Sequence, residues 1–360
     1  MAQFSIYIAI TGHGFGHAVR AATVAEKLEQ LRPDIDLHLV TVAPEWLLKS
    51  YIKGNFIYRP RVLDVGVIQS DSLTMDRPAT LSKMQDIISR QSDIIAEETK
   101  YIREHNIDLV LADIPALAAP IAKAAGIPCW MMSNFGWDFI YRDWGEEFAE
   151  VVAWIENFYA KSDRLFRLPL AESMSAFSQI TNVGLTGSKP KFSNEELRQK
   201  FQLTAPKEKT ILLTFGGLGL QAIPYENLNR FTNWQFITFD RHAPDLPNLL
   251  KVADRTLRPL DFMSLCSRVV SKPGYSTFSE AMCCDTPIVS LTREGFAEAP
   301  VLLNALQDYS QHQIITIEEF FTGNWEFLER DLIPPRKQER PDKNGATAIA
   351  QEISSYLSSF

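Results

Sequence analysis

The strongest constraint on this chain is an alternation that runs through it twice: short apolar runs rich in β-branched residues, each followed by a longer stretch of helical periodicity. Strand and helix taken in turn build parallel sheets, because a parallel neighbour is reached only through a crossover. In the first half the strand-like runs are 4–10, 37–42, 62–68, 109–112 and 129–133. Helical text fills 16–31, 81–105 and 115–125, the last stopped by Gly126 and Pro128. At 184–209 the pattern gives way to Thr186-Gly187-Ser188-Lys189-Pro190 and a charged helix, which places a linker at the start of that stretch. Strand-like runs then resume at 210–215, 234–239, 269–271 and 288–291, with Asp285, Thr286 and Pro287 breaking the helix before the last. A polar, proline-rich tail at 334–343 leads to a closing helix at 346–357. The expected fold is α/β, with two doubly wound, Rossmann-like domains at 1–185 and 186–345 and a closing segment at 346–360. A length of 360 residues suits two cores better than one.

Composition narrows the function. A net charge of -8 argues against a protein that binds nucleic acid through the phosphate backbone, which requires a basic face. It leaves room for a small phosphorylated ligand held at helix termini. With 46% hydrophobic and 22% charged residues the chain is expected to be folded throughout. The four cysteines, two of them adjacent at Cys283 and Cys284, have neither the spacing of a disulfide framework nor that of a zinc site. Reduced thiols, a cytoplasmic location, no bound metal and no cofactor are the expectation. Residues 1–10 lack the basic region of a secretion signal, and no apolar run approaches the roughly 20 residues needed to span a bilayer. Any membrane contact would be peripheral.

Thr11-Gly12-His13-Gly14-Phe15-Gly16-His17 follows the first strand and opens a helix. Unpaired amides and the helix dipole at such a turn favour an anion. The third glycine comes one residue too early for the dinucleotide fingerprint, which disfavours a nicotinamide enzyme. His13 and His17 either hydrogen-bond the turn or, for one of them, handle a proton near neutral pH. Asp113 ends a strand-like run at the edge where open α/β sheets bind ligands, and serves as partner to His17, as a helix cap, or as both. Ser133-Asn134-Phe135-Gly136-Trp137-Asp138-Phe139-Ile140-Tyr141 joins rings to polar groups at another strand end. Asn134, Trp137 and Asp138 are candidates for a polar acceptor, against the plainer reading of core aromatics starting a helix.

In the second half Phe215-Gly216-Gly217-Leu218-Gly219 offers a weak phosphate-loop signal at Gly216 and Gly217. The stronger segment is Ser271-Lys272-Pro273-Gly274-Tyr275-Ser276-Thr277-Phe278-Ser279-Glu280-Ala281. Gly274 opens it, Tyr275, Ser276 and Thr277 begin a helix with amides and hydroxyls exposed, and Glu280 lies one turn on. A capping box between Thr277 and Glu280 is its structural alternative.

Together these segments resemble the GT-B glycosyltransferases, in the branch of the peptidoglycan GlcNAc-transferase and the UDP-glucuronosyltransferases. The histidine loop and residues 134–141 are more similar still to the glycosyltransferase-like N-terminal region of L-arabinokinase, whose separate sugar-kinase domain has no counterpart here. The resemblance implies an inverting, metal-independent transfer from a nucleotide-diphosphate sugar, with UDP favoured, to a hydroxyl on a small molecule, glycan or lipid. It implies His17 as base with Asp113 as partner, and His13, Asn134, Trp137 and Asp138 on the acceptor side. Gly14, Gly16, Gly216, Gly217, Gly274, Tyr275, Ser276 and Thr277 would serve the donor phosphates, and Glu280 the ribose. The backbone of Leu257 and Arg258, with Phe262 nearby, would meet the base. Glu294 or Glu298 stands where that branch has an Asp-Gln pair for the sugar. Apolar groups around Trp46, Leu47 and Leu48, and around Trp154 and Phe158, keep a lipid acceptor open. Two other readings share the fold: a nucleotide-sugar 2-epimerase, which would use Glu294 and Glu298, and a nucleotide-sugar-binding module without catalysis.

Overall fold

The computed structural model describes residues 4–71, 73–217 and 219–359, so Leu218 of the second glycine loop lies outside the described residues. The first sheet contains β1 (Phe4–Ile10), β2 (Ile35–Val40), β3 (Ile57–Arg59), β4 (Leu109–Asp113), β5 (Cys129–Ser133), β6 (Arg164–Arg167) and β7 (Ile180–Asn182). Its strands are parallel, in the order β3-β2-β1-β4-β5-β6-β7. The second contains β8 (Thr210–Leu213), β9 (Gln235–Thr238), β10 (Leu249–Lys251), β11 (Arg268–Ser271), β12 (Ile288–Leu291) and β13 (His312–Ile315). It too is parallel, in the order β10-β9-β8-β11-β12-β13. Strand order reverses between β1 and β4 in one sheet and between β8 and β11 in the other. At each reversal the crossovers leave on opposite faces, so a crevice opens at the carboxyl ends of the strands.

The alternation of side chains along β1 explains why both faces are covered. Ile6, Ile8 and Ile10 pack with Ala18, Ala21, Val24, Ala25 and Leu28 of the Gly16–Leu31 helix. Tyr7 and Ala9 point the other way, into a cluster with Ile121, Ala122, Tyr141 and Phe148. The closing helix, Gly345–Leu357, follows the second sheet in sequence but packs against Gly16–Leu31. It buries Ile349, Ala350, Ile353 and Leu357 completely, and Glu352 accepts from Arg164 at 2.8 Å. One apolar cluster therefore runs from Ile8 through this helix to Leu212, Phe262 and Phe278. A shared core, as well as a linker, fixes how the halves face each other.

Two expectations are corrected, and a third feature is placed. The run at 62–68 is not a strand; β3 lies earlier, at Ile57–Arg59. Leu63 and Val67 are buried all the same, as irregular chain beneath the histidine loop. The helix expected over 81–105 is two helices, Arg77–Ser89, capped by Asp76, and Gln91–Glu104, separated at Arg90. The apolar groups that kept a lipid acceptor open are largely core: Leu47, Leu48 and Phe158 are buried, and Trp46 packs edge-on against Phe15 with ring centres 5.6 Å apart. No helix among the described residues is long and apolar enough to cross a membrane.

Candidate active site

β1 runs straight into the turn that starts Gly16–Leu31, so His17 sits in the first turn of that helix. Arg20, three residues on, shares its face. The neighbouring β4 delivers Asp113 as its last residue, and β5 delivers Ser133 followed by Asn134. His17 Nδ1 lies 2.7 Å from Asp113 Oδ1, and Arg20 reaches the same carboxylate with Nε at 2.5 Å and Nη2 at 2.6 Å. Arg20 also donates to Ser133 Oγ at 2.8 Å and to Asn134 Oδ1 at 2.6 Å, and Asn134 donates to Glu298 Oε1 at 2.8 Å. Sequence reasoning missed Arg20; its spacing from His17 on an otherwise apolar helix face was the available signal.

His17 Nδ1 faces both Asp113 Oδ1, which only accepts, at 2.7 Å and Arg20 Nη2, which only donates, at 3.0 Å. Arg20 Nη2 has the closer acceptor in Asp113 at 2.6 Å, so the shorter carboxylate contact places the proton of neutral His17 on Nδ1 and leaves Nε2 with a lone pair. Nε2 makes no hydrogen bond among the described residues. Burial lowers the His17 pKa; the Asp113 charge opposes this and Arg20 reinforces it, so the imidazole is neutral at neutral pH. Burial alone would raise the Asp113 carboxyl, but Arg20 and then His17 outweigh it and hold it below its ordinary value. The arrangement can accept a proton at Nε2 and stabilise the resulting imidazolium through Asp113.

His13 takes a different place. Its Nδ1 sits 3.2 Å from the amide and 3.0 Å from the carbonyl of Val67, and burial, followed by the charges of His17, Arg293 and Lys272, lowers its pKa well below the ordinary value. Gly66 is required beneath it: its φ is +62°, and a Cβ there would meet His13 Cβ at 2.3 Å. Trp137 stands edge-on to His13, with centroids 5.5 Å apart, and donates to Thr11 Oγ1 at 3.3 Å. Thr11 in turn donates to Asp64, a buried carboxyl pushed up to about 7 by burial. Asp138 is turned elsewhere, 3.6 Å from Arg142, and burial and then Glu172 raise it to about 6.

The carboxyl end of the second sheet faces this group. Ser276, in the first turn of the Tyr275–Cys283 helix that follows β11, donates to the Gly16 carbonyl at 2.7 Å. Tyr275 lies against Arg20, its ring centre 5.3 Å from the guanidinium carbon. Gly217 is needed for close approach, since a Cβ would stand 2.4 Å from the Phe15 ring. Lys272 links the two glycine loops: its Cε and Nζ lie 3.7 and 3.6 Å from where Cβ atoms of Gly216 and Gly274 would be. Thr277 is half-buried on the same first turn, and Gly14 lies in the turn before His17. Of the two candidate sugar ligands, Glu298 is buried on Asn134 whereas Glu294 is exposed.

The residues assigned to the nucleoside are gathered together but already engaged. Glu280 is buried, accepts from the Tyr51 hydroxyl at 2.8 Å and is pushed up to about 7 by burial. Arg258 lies over the Tyr51 ring at 4.8 Å and pairs with Asp261 at 2.7 Å, while Phe262 is core. The amides of Leu257 and Arg258 donate to the Asp254 carbonyl at 3.2 Å and to Asp261 at 2.9 Å. Tyr51 comes from the first domain, 229 residues away, and nothing in the local sequence signals the contact.

No protein-family model matches the chain. Among solved structures, the glycotransferase of kitacinnamycin superposes with a TM-score of 0.63 at 14% identity, over 98% of this chain and 99% of that one. A UDP-glucose: anthocyanidin 3-O-glucosyltransferase in complex with UDP gives 0.59 at 10% identity, over 100% and 95%. The chain has the GT-B fold. This GT-B chain is 31% identical to L-arabinokinase of Arabidopsis thaliana over 91% of its own length, but spans only 32% of that protein. It is 23% identical to the UDP-N-acetylglucosamine N-acetylmuramyl-(pentapeptide) pyrophosphoryl-undecaprenol N-acetylglucosamine transferase of Thermosipho africanus, over 98% of each chain.

Proposed function

We propose that this protein transfers a sugar, with inversion, from a nucleotide-diphosphate sugar to a hydroxyl acceptor, and that His17 is the base. The observation that carries this reading is the His17–Asp113 pair, which leaves a basic Nε2 in a cleft closed on its far side by a glycine loop and a helix start. The acceptor hydroxyl gives its proton to Nε2 as its oxygen bonds to the anomeric carbon. The bond from that carbon to the diphosphate breaks, and the nucleotide leaves with the electron pair. Asp113 stabilises the imidazolium. The amides at the start of Tyr275–Cys283, the Gly216 loop and Lys272 meet the charge that develops on the diphosphate. A UDP donor is the preferred form, because the relative from Thermosipho africanus and the anthocyanidin enzyme both carry a UDP-sugar in their names.

Two details favour transfer over epimerisation at the sugar. Glu294 is exposed rather than buried in the cleft wall, and Glu298 is tied to Asn134. Calorimetric titration with UDP, GDP and TDP tests the donor assignment, repeated on Glu280→Ala and His17→Ala. One nucleotide should bind, more weakly to Glu280→Ala and unchanged to His17→Ala; binding of none would sink the reading.

A further inference from the structure

Three arginines are buried among the described residues, Arg20, Arg258 and Arg293. The first two are neutralised, by Asp113 at 2.5 Å and Asp261 at 2.7 Å. Arg293 differs. It follows β12, is 7% exposed, and its Nε and Nη2 are buried with no hydrogen-bond partner. A guanidinium taken out of water without a partner is among the least favourable arrangements a fold can hold, and it persists where function uses it. Its surroundings sharpen the point. The guanidinium carbon lies 3.9 Å from the centre of the Phe296 ring, and Phe296 stacks on His13 with centroids 6.4 Å apart and planes at 21°. Arg293 therefore belongs to the wall of the cleft that includes the histidine loop, whereas Lys272 sits at the two glycine loops.

The charges around it are unbalanced. Burial and then Arg293 itself lower Lys272 to about 7, with only Glu298 opposing. Burial lowers Arg293 to about 10 against Glu298 and Asp71, and the Glu298 carboxylate is already engaged by Asn134. Arg293 thus sits with Phe296 and the His13 imidazole on a half-apolar wall, with little compensating negative charge. A planar guanidinium with two adjacent free donors matches a carboxylate or a phosphate.

We propose that Arg293 is a charge-reading subsite that takes a carboxylate or phosphate carried by a substrate beyond the donor diphosphate. This rests on the cleft being a nucleotide-sugar site. The acidic group belongs either to the donor sugar or to the acceptor.

Calorimetry on the full chain separates these sources. Wild type and Arg293→Gln are titrated with UDP, UDP-glucose and UDP-glucuronate, and with inorganic phosphate before and after saturation with UDP. If the donor sugar is acidic, wild type binds UDP-glucuronate about 10- to 100-fold more tightly than UDP-glucose, the size expected of charged hydrogen bonds. Arg293→Gln removes that preference and leaves UDP affinity unchanged. If the acceptor is acidic, the two sugars bind alike, while phosphate binds wild type and not the variant. Arg293→Lys, which keeps the charge, should retain part of either discrimination, which a merely structural arginine would not require. Equal behaviour of wild type and Arg293→Gln toward all these ligands overturns the proposal, as does weakening of UDP itself, which would put Arg293 on the diphosphate. If no nucleotide binds wild type, the donor reading fails separately; phosphate binding to the unliganded protein, lost in Arg293→Gln, would still support the subsite.

Discussion

His17 and Arg20 share one carboxylate oxygen: Asp113 Oδ1 lies 2.7 Å from His17 Nδ1 and 2.6 Å from Arg20 Nη2. Asp113 therefore does two things. It orients the imidazole that is to take a proton, and it neutralises a buried guanidinium that would otherwise stand alone.

Asp113→Asn should reveal both. An amide permits the wrong imidazole tautomer, so turnover is expected to fall by about 10²- to 10⁴-fold. Arg20 is left buried without its counter-ion, at a cost on the order of 3–5 kcal/mol. Steady-state rates and thermal melts on the same sample check this; a loss of activity with an unchanged melting temperature would mean that Arg20 is not held as described.

Arg20→Gln tests the other partner. Arg20 helps to lower the His17 pKa, so its removal lets that pKa rise. The base works in its neutral form, and the acid limb of the rate profile should therefore move to higher pH. An unmoved or lowered limb would exclude electrostatic coupling between the two.

Glu280 gives a test of stability against pH. Burial raises its folded pKa to about 7, above its unfolded value, so its contribution is fully present below the unfolded pKa and is lost as pH rises through about 7. Glu280→Gln, which cannot ionise, should gain stability over wild type by about 1–3 kcal/mol at pH 8 and by little at pH 4. Denaturant melts at the two pH values decide it, and a difference that shrinks as pH rises would contradict the burial argument.

Tyr51→Phe probes the contact that occupies Glu280. A ribose reaching that carboxylate must replace the Tyr51 hydroxyl, which lies 2.8 Å away. Removing the competing donor should tighten binding of the favoured nucleotide by about 3- to 10-fold, the worth of one hydrogen bond. Weaker binding would instead make Tyr51 part of the nucleotide site.

The sequence was most legible where strands are wholly buried. β12 and β8 stand out as apolar runs because they are buried on both faces, with a single small hydroxyl in each, Ser290 and Thr210. β6, with the sequence Arg164-Leu165-Phe166-Arg167, and β13, beginning His312-Gln313, are short and partly polar, and were not visible. The run at 62–68 misled for the opposite reason. Its Leu63 and Val67 are buried as in a strand, but they pack beneath the histidine loop without sheet pairing. His17 and Asp113 could be placed because each ends or follows a strong strand at the reversal of strand order. Arg20 was signalled only by its spacing from His17, and Tyr51 by nothing local, because its partner Glu280 belongs to the other domain and only the fold sets the distance.

The measurement that bears most directly on the central claim is release of nucleotide from a UDP-sugar by wild type and His17→Ala, with UDP affinity determined on both. Wild type should turn over, and His17→Ala should lose about 10²- to 10⁴-fold in rate while binding UDP unchanged. Undiminished turnover in His17→Ala would contradict the assignment of His17 as the base.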